Sequence, residues 1–412
     1  MKIYNKLFIA ILSIISIDNA SYAQLKSGTW RGALQTSSGN VLPFNFIVTD
    51  TAGKQQLAII NGDERFKVTD IKSTTDSVFI HMPLFDSEFK LKLAGDSLTG
   101  NWIKHGATQD AVMPFTAKPN TAWRFFENPE KPAFNVSGRW AATFGEGDDK
   151  DQLVGEFKQT DAKLTGTFLS TTGDYRYLEG TVAGNKLYLS CFDGGHAYIF
   201  TATLTDAKTM TDGKQYAGYT GHDAWYAKKD PNAMLPDAYS LTALKPGFTK
   251  IDFTFKDIDG KKVSLNDARF KNKVVIVQIL GSWCPNCMDE TNYFTSDYYT
   301  KYHPKGVEII GLAYERTTDF ARSQRTLQQL KMHFNVPYPL LITGYTPGKG
   351  DPEKSLPMLA DFKGFPTTII IDKKGEVRRI HTGFSGPGTG SYYKDFTDEF
   401  EKLTDDLLAE QD

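Results

Sequence analysis

At 412 residues, 40% of them hydrophobic and 23% charged, the chain has a globular composition and exceeds the length of one ordinary core, so two or three domains are expected. It has no low-complexity tract. A formal net charge of −2, without any basic stripe, gives no footprint of a nucleic-acid partner.

The N-terminus carries the first readable element. Lys2 and Lys6 precede an apolar run over 7–17, and Ser21-Tyr22-Ala23 places small residues at the −3 and −1 positions of a cleavage site. This pattern predicts a secretory signal peptide over 1–23, cut near Ala23. The competing reading is an uncleaved anchor, but the run falls short of the ~20 apolar residues a span needs. No Cys follows the cut to carry a lipoprotein anchor, and no other segment is long and apolar enough to cross a bilayer. The expected product is exported, soluble and periplasmic, in a compartment where disulfide chemistry persists.

From 24 to 229 short runs alternate apolar and polar residues between Gly, Asn and Asp, as in Phe44-Asn45-Phe46-Ile47-Val48 and Lys186-Leu187-Tyr188-Leu189-Ser190. Such half-buried strands predict a mostly antiparallel β-rich region, a sandwich or barrel. Ser27-Gly28-Thr29-Trp30 recurs as Ser137-Gly138-Arg139-Trp140, and Leu84-Phe85-Asp86 is echoed by Cys191-Phe192-Asp193. Two copies of one unit, 24–118 and 134–229, are the reading, against chance likeness among β-rich segments. Cys191 and His196 flank Asp193-Gly194-Gly195, a nucleophile-and-base spacing. Without a third orienting group, Cys191 reads as a small buried hydrophobe. The tryptophans read as packing, and no ligand of this region can be derived. Pro231, Pro236 and Pro246 mark a linker over 230–247.

The remaining 248–412 alternates strands and helices. A hairpin turns at Asp259-Gly260, and an apolar run over 274–280 reads as a central strand covered on both faces. A helix leaves Cys284-Pro285-Asn286-Cys287 and stops at His303, before Pro304 and Gly306. There follow a strand over 307–313, a helix over 318–334, a short strand at 339–342 and a short helical piece over 355–362. A hairpin over 367–381 and an amphipathic helix over 392–408 complete an α/β layer fold. A strand feeding Cys-x-x-Cys at a helix start is a redox site, because free N–H groups and the dipole there stabilise a thiolate. Cys287, about one helical turn on, is close enough to pair with Cys284. Half of a zinc site is the competing reading, but the third cysteine lies in the β-rich region, so no metal is expected.

The chain from about 246 onward resembles the exported thiol–disulfide oxidoreductases of the TlpA/ResA type, which are thioredoxin-like. The resemblance rests on Phe253-Thr254, on Asp259-Gly260-Lys261-Lys262-Val263-Ser264-Leu265, on Trp283-Cys284-Pro285-Asn286-Cys287 and on Gly364-Phe365-Pro366-Thr367-Thr368. It covers the last two fifths of the chain and says nothing of the β-rich region. It implies Cys284 as the attacking thiol, Cys287 as the resolving one and Pro366 as the family's cis-proline. Trp283, Pro285 and Phe365 are the implied substrate-facing residues, with the Phe365 backbone available to a substrate chain. Glu290 stands where this branch carries an acidic residue near the cysteines and is the candidate proton relay; a solvated helix Glu beside Asp289 is the plainer reading. Gln278 replaces the buried Asp that thioredoxin itself carries six positions before the first cysteine.

The implied activity is reduction of exported protein disulfides with no cofactor beyond the redox-active disulfide, re-reduced by a membrane electron donor. Oxidase or isomerase action uses the same chemistry in reverse. Two other classes stay open: a thiol peroxidase, whose Pro-x-x-x-Thr/Ser-x-x-Cys segment is missing here, and a binding protein dominated by its β-rich region.

Overall fold

The protein is described by a computed structural model covering residues 24–147 and 150–411, and the predicted signal peptide lies outside these residues. Among them, no helix is long and apolar enough to cross a membrane.

The β-rich region forms two successive antiparallel nine-stranded sheets. In the first, the opening strand Gly28–Gln35 bonds to the closing strand Ala111–Pro119, and the meander between leaves only Glu64–Val68 and Asp70–Ser73 as edges. The second closes completely. Gly138–Phe144 pairs with both Asp151–Thr160 and the last strand Gly221–Lys229, and Asp151–Thr160 pairs on to Lys163–Ser170. Closure of this kind removes exposed edges, so the barrel expectation holds over the sandwich.

Each sheet wraps a core, that of the first taking in Phe192, Ala197 and Ile199 from the second. Trp30 and Trp140 are buried on the first strand of their respective sheets, and each indole Nε1 donates to the carbonyl four residues back, Lys26 and Val136, at 2.8 Å. Gly28 and Gly138, two residues earlier, share a positive φ of 116° and 110°. The second echo is equally placed, since Leu84-Phe85-Asp86 and the Asp193 turn both join the fourth-last strand of a sheet to the third-last. These two turns meet: Ser87 Oγ and Trp102 Nε1 both donate to the Gly194 carbonyl.

The C-terminal region holds a seven-stranded sheet. Its elements are β1 (Thr254–Asp257), β2 (Lys262–Ser264), β3 (Val274–Leu280), α1 (Pro285–Tyr293), β4 (Val307–Ala313), α2 (Phe320–Phe334), β5 (Leu340–Ile342), β6 (Thr367–Ile371), β7 (Val377–Thr382) and α3 (Ser391–Ala409). The strand order is β2-β1-β5-β4-β3-β6-β7, with β3 parallel to β4 and antiparallel to β6. All seven residues of β3 are buried. Val274, Ile276 and Leu280 enter the core under the helices, while Val275, Val277 and Ile279 enter the core on the opposite face. Burying each such side chain stabilises the fold by about 1.5–3 kcal/mol. The strand's two-residue period puts Gln278 on the helix side, the one polar residue in an apolar run.

Two local expectations change. The helix over 355–362 is instead a five-residue helix at Asp351–Ser355, and Leu359–Ala360 is extended. Pro357 supplies no N–H and biases Leu356 away from helical geometry, so the helix ends there. The stretch 230–247 is also held in place rather than hanging free. Ala243–Leu244 pairs with Leu359–Ala360, and the Thr242 and Thr382 hydroxyls lie 2.8 Å apart.

Candidate redox site

The site is built where β3 ends and α1 begins. Gly281 turns the chain, and the Cys284 N–H donates to its carbonyl at 3.0 Å. Cys284 is extended and caps α1, its Sγ accepting the Cys287 N–H at 3.3 Å, with Pro285 at the first helical position where a missing N–H does no harm. The Cys284 thiol also points to the Phe365 carbonyl, 3.8 Å away, beside the cis Phe365–Pro366 bond. Trp283 donates from Nε1 to the Tyr314 carbonyl at 2.9 Å and meets Phe365 edge-on, with centroids 5.4 Å apart. The Arg316 guanidinium covers its other face. Pro366, Phe365, Trp283 and Pro285 therefore surround the two cysteines.

Both cysteines are free thiols, Cys284 4% exposed and Cys287 fully buried. Burial, reinforced by the Cys284 sulfur, pushes the Cys287 thiol well above its ordinary range, so it is a reluctant nucleophile until its proton is taken.

Glu290 is a second titratable group of α1. It lies one turn along the same helix and is fully buried, not solvated. Thr368 Oγ1 donates to its Oε1 at 2.7 Å, and Gln278 Nε2 donates to its Oε2 at 2.9 Å. Gln278 also reaches Thr291 Oγ1 at 3.1 Å. Burial pushes the Glu290 carboxyl up to about 7 against the pull of these two hydrogen bonds. The departure at Gln278 is thereby explained: the strand position that carries a carboxylate in thioredoxin carries here an amide that steadies a carboxylate from the facing helix.

Two features of the site have no counterpart in the sequence reading, and a third, Cys191, reads there as a small buried hydrophobe. Asp289 is half-buried, facing away from the sheet onto Arg176 of the second barrel, with Asp289 Oδ1 to Arg176 Nη1 at 2.8 Å. Burial pushes the Asp289 carboxyl up to about 7 despite that guanidinium. Arg176 also contacts Glu64 of the first sheet and donates to the Pro285 carbonyl at 3.3 Å. Burial disfavours its charge, but the carboxylates of Asp289 and Glu64 more than reverse this and hold it well above its ordinary value. Finally, Cys191 lines the same cavity as Cys284 while packing into the second barrel's core, where burial raises its thiol well above the ordinary range. That environment fits an inert structural cysteine. A polar Gln inside β3 was a visible signal; a lone arginine in a loop over 170–176 gave none.

Residues 245–395 match the Redoxin family. The chain is 32% identical over 160 residues to thiol–disulfide oxidoreductase ResA of Bacillus cereus, spanning 39% of this chain and 76% of that protein. It is 28% identical over 142 residues to ResA of Geobacillus thermodenitrificans, spanning 34% of this chain and 72% of that protein. Among solved structures, a thiol:disulfide interchange protein of the thioredoxin family from Chlorobium tepidum covers 40% of this chain and 100% of its own, at 19% identity and a TM-score of 0.28. Through its C-terminal thioredoxin-like region, the chain belongs to the ResA-type thiol–disulfide oxidoreductases.

Proposed function

We propose that the protein works in the reductive direction in an exported compartment, with Cys284 and Cys287 as its redox pair. The Cys284 thiolate attacks a substrate disulfide to form a mixed disulfide, and Cys287 attacks the Cys284 sulfur to release the reduced product. Glu290 takes the Cys287 proton, and the Phe365–Pro366 segment, Trp283 and Pro285 orient the substrate disulfide against Cys284. Protein disulfides of exported chains are the proposed substrates and a membrane component the proposed electron donor. No prosthetic group enters these steps.

The observation that carries this reading is the buried Glu290, held by Gln278 and Thr368 one turn from Cys287 with its carboxyl near 7. A base poised near the working pH matches a thiol that must lose its proton mid-cycle. The test is equilibration of the pair with dithiothreitol or glutathione. A potential near the ~−270 mV of thioredoxin supports the reductive direction, whereas one near the ~−120 mV of strong oxidants reverses it. Cys287→Ser should trap the mixed disulfide on Cys284, and a variant that releases product as the natural chain does would remove Cys287 from the mechanism.

A further inference from the structure

The second barrel lies over the redox centre. Its segment 170–176, which includes a two-residue strand Gly173–Asp174, crosses the ground that an incoming polypeptide would need. Gly173, at φ 146°, sits so close to Asn286 that a Cβ there would fall 1.5 Å from Nδ2. Thr172 covers the loop before the cis-proline, where a Cβ on Gly364 would meet its Cγ2 at 2.7 Å. Asp174 Oδ2 accepts from the Gly386 N–H at 2.7 Å, and Arg176 ties the segment to Asp289 and the Pro285 carbonyl. An extended chain therefore has no free path to the Phe365 backbone while this segment is docked.

What remains open to Cys284 is a cavity of about 200 Å³ between the barrel and the redox domain. That is smaller than the ~300–1,000 Å³ of pockets that hold drug-sized ligands. Its walls are rich in acceptors. The Asp174 carboxylate, which accepts the Arg176 and Gly386 N–H groups, and the Asp193 carboxylate, paired with His196, line it, as does Asn286, 7% exposed, whose Oδ1 has no hydrogen-bond partner among the described residues. Tyr175 and Tyr198, in edge contact at 5.2 Å, add aromatic rings, which attract cations. The one cationic side chain of the lining, Arg176, is already taken by Glu64 and Asp289.

We propose that the docked enzyme reduces low-molecular-weight disulfides bearing ammonium groups, and that residues 170–176 are the specificity element that holds folded protein disulfides off Cys284. This rests on the redox reading above and narrows its substrate. Protein disulfides then gain access only when the segment is displaced. The Cys284 thiolate bonds to one sulfur of the small disulfide, whose S–S bond breaks; the departing sulfur keeps the electron pair and takes a proton. Cys287, deprotonated, then bonds to the Cys284 sulfur and expels the second thiol in the same way. The enzyme dithiol loses two electrons, the small disulfide gains two, and an added dithiol reductant such as dithiothreitol restores the enzyme.

The test is single-turnover oxidation of the pre-reduced full chain, freed of dithiothreitol, read by alkylation and mass spectrometry of Cys284 and Cys287. The probes are cystamine, its dianionic counterpart dithiodiglycolate, and insulin. Relative to their rates with free dithiothreitol, cystamine should outpace dithiodiglycolate by about tenfold, the discrimination a well-placed charge complement supplies. Arg176→Ala and, independently, Gly173→Val should each raise the insulin-to-cystamine rate ratio by about tenfold, as expected when one docking contact is removed. Insulin reacting with the natural chain as fast as cystamine, equal relative rates for the two small probes, or a ratio unmoved by both variants would overturn the inference. If neither these probes nor diamide joins Cys284 to Cys287, it is the redox reading itself that fails.

Discussion

Replacing Glu290 with Gln separates the proton-handling role of this carboxyl from its packing, because the side chain keeps its shape and loses its charge. In the folded protein the carboxyl sits near 7, against 4.5 for an ordinary Glu, so the folded state holds more protons than the unfolded state between these values. The contribution of Glu290 to stability is therefore fully present below about 4.5 and is lost as pH rises through about 7. The shift corresponds to about 3 kcal/mol, at 1.36 kcal/mol per unit. Denaturant unfolding of both chains across pH 4 to 9 reads it directly. The difference in stability, Glu290→Gln minus natural, should grow by about that amount across the window and level off above it, with Asp289, alike in both chains, cancelling in the subtraction. In parallel, resolution of the mixed disulfide at neutral pH should slow by about a hundredfold, the lower range of general-base contributions. Part of that loss is offset, since removing the Glu290 charge also eases Cys287 ionisation. A flat stability difference together with an unchanged resolution rate would refute the assignment of a titrating base here.

Two further outcomes follow from single side chains. Gln278→Leu strips the donor from Glu290 Oε2 inside a closed core, so stability should fall by about 1–3 kcal/mol and the mid-point of the pH dependence should move above that of the natural chain, both read from the same unfolding series. Trp140→Ala should lower stability by about 3–5 kcal/mol through the cavity left in the second barrel, and urea unfolding monitored by far-ultraviolet circular dichroism checks it.

The redox half of the molecule was legible because its signals are local. An uninterrupted apolar strand, a helix start bearing Cys-x-x-Cys, and Pro304 with Gly306 at the end of the helical path each act on their own neighbourhood, and the structure places all of them within a few residues of expectation. The paired Gly-x-Trp motifs were legible for the same reason, as each fixes one strand start and one buried indole. Docking was not legible. Nothing in the sequence around Gly173 signals that it must lack a side chain to clear Asn286, more than a hundred residues away. Glu290 was ambiguous for a related reason: burial of a helix carboxylate depends on what covers the helix, and the covering element is remote in sequence.

Asp289 and Glu290 make this dependence explicit. Consecutive helical residues point about 100° apart, yet Glu290 is fully buried and Asp289 keeps only 13% of its side chain exposed, so α1 is covered on two sides. Glu290 faces the sheet, where Gln278 and Thr368 receive it; Asp289 faces the second barrel, where Arg176 does. The two carboxyls carry similar upward shifts, yet they answer to different neighbours. On the proposed displacement of the 170–176 segment Asp289 loses its Arg176 partner, while the partners of Glu290, Gln278 and Thr368, stay with the C-terminal region. A thioredoxin-like region on its own would keep the proton acceptor and lose the cover. The chemistry thus belongs to the C-terminal region, and access to it belongs to the second barrel.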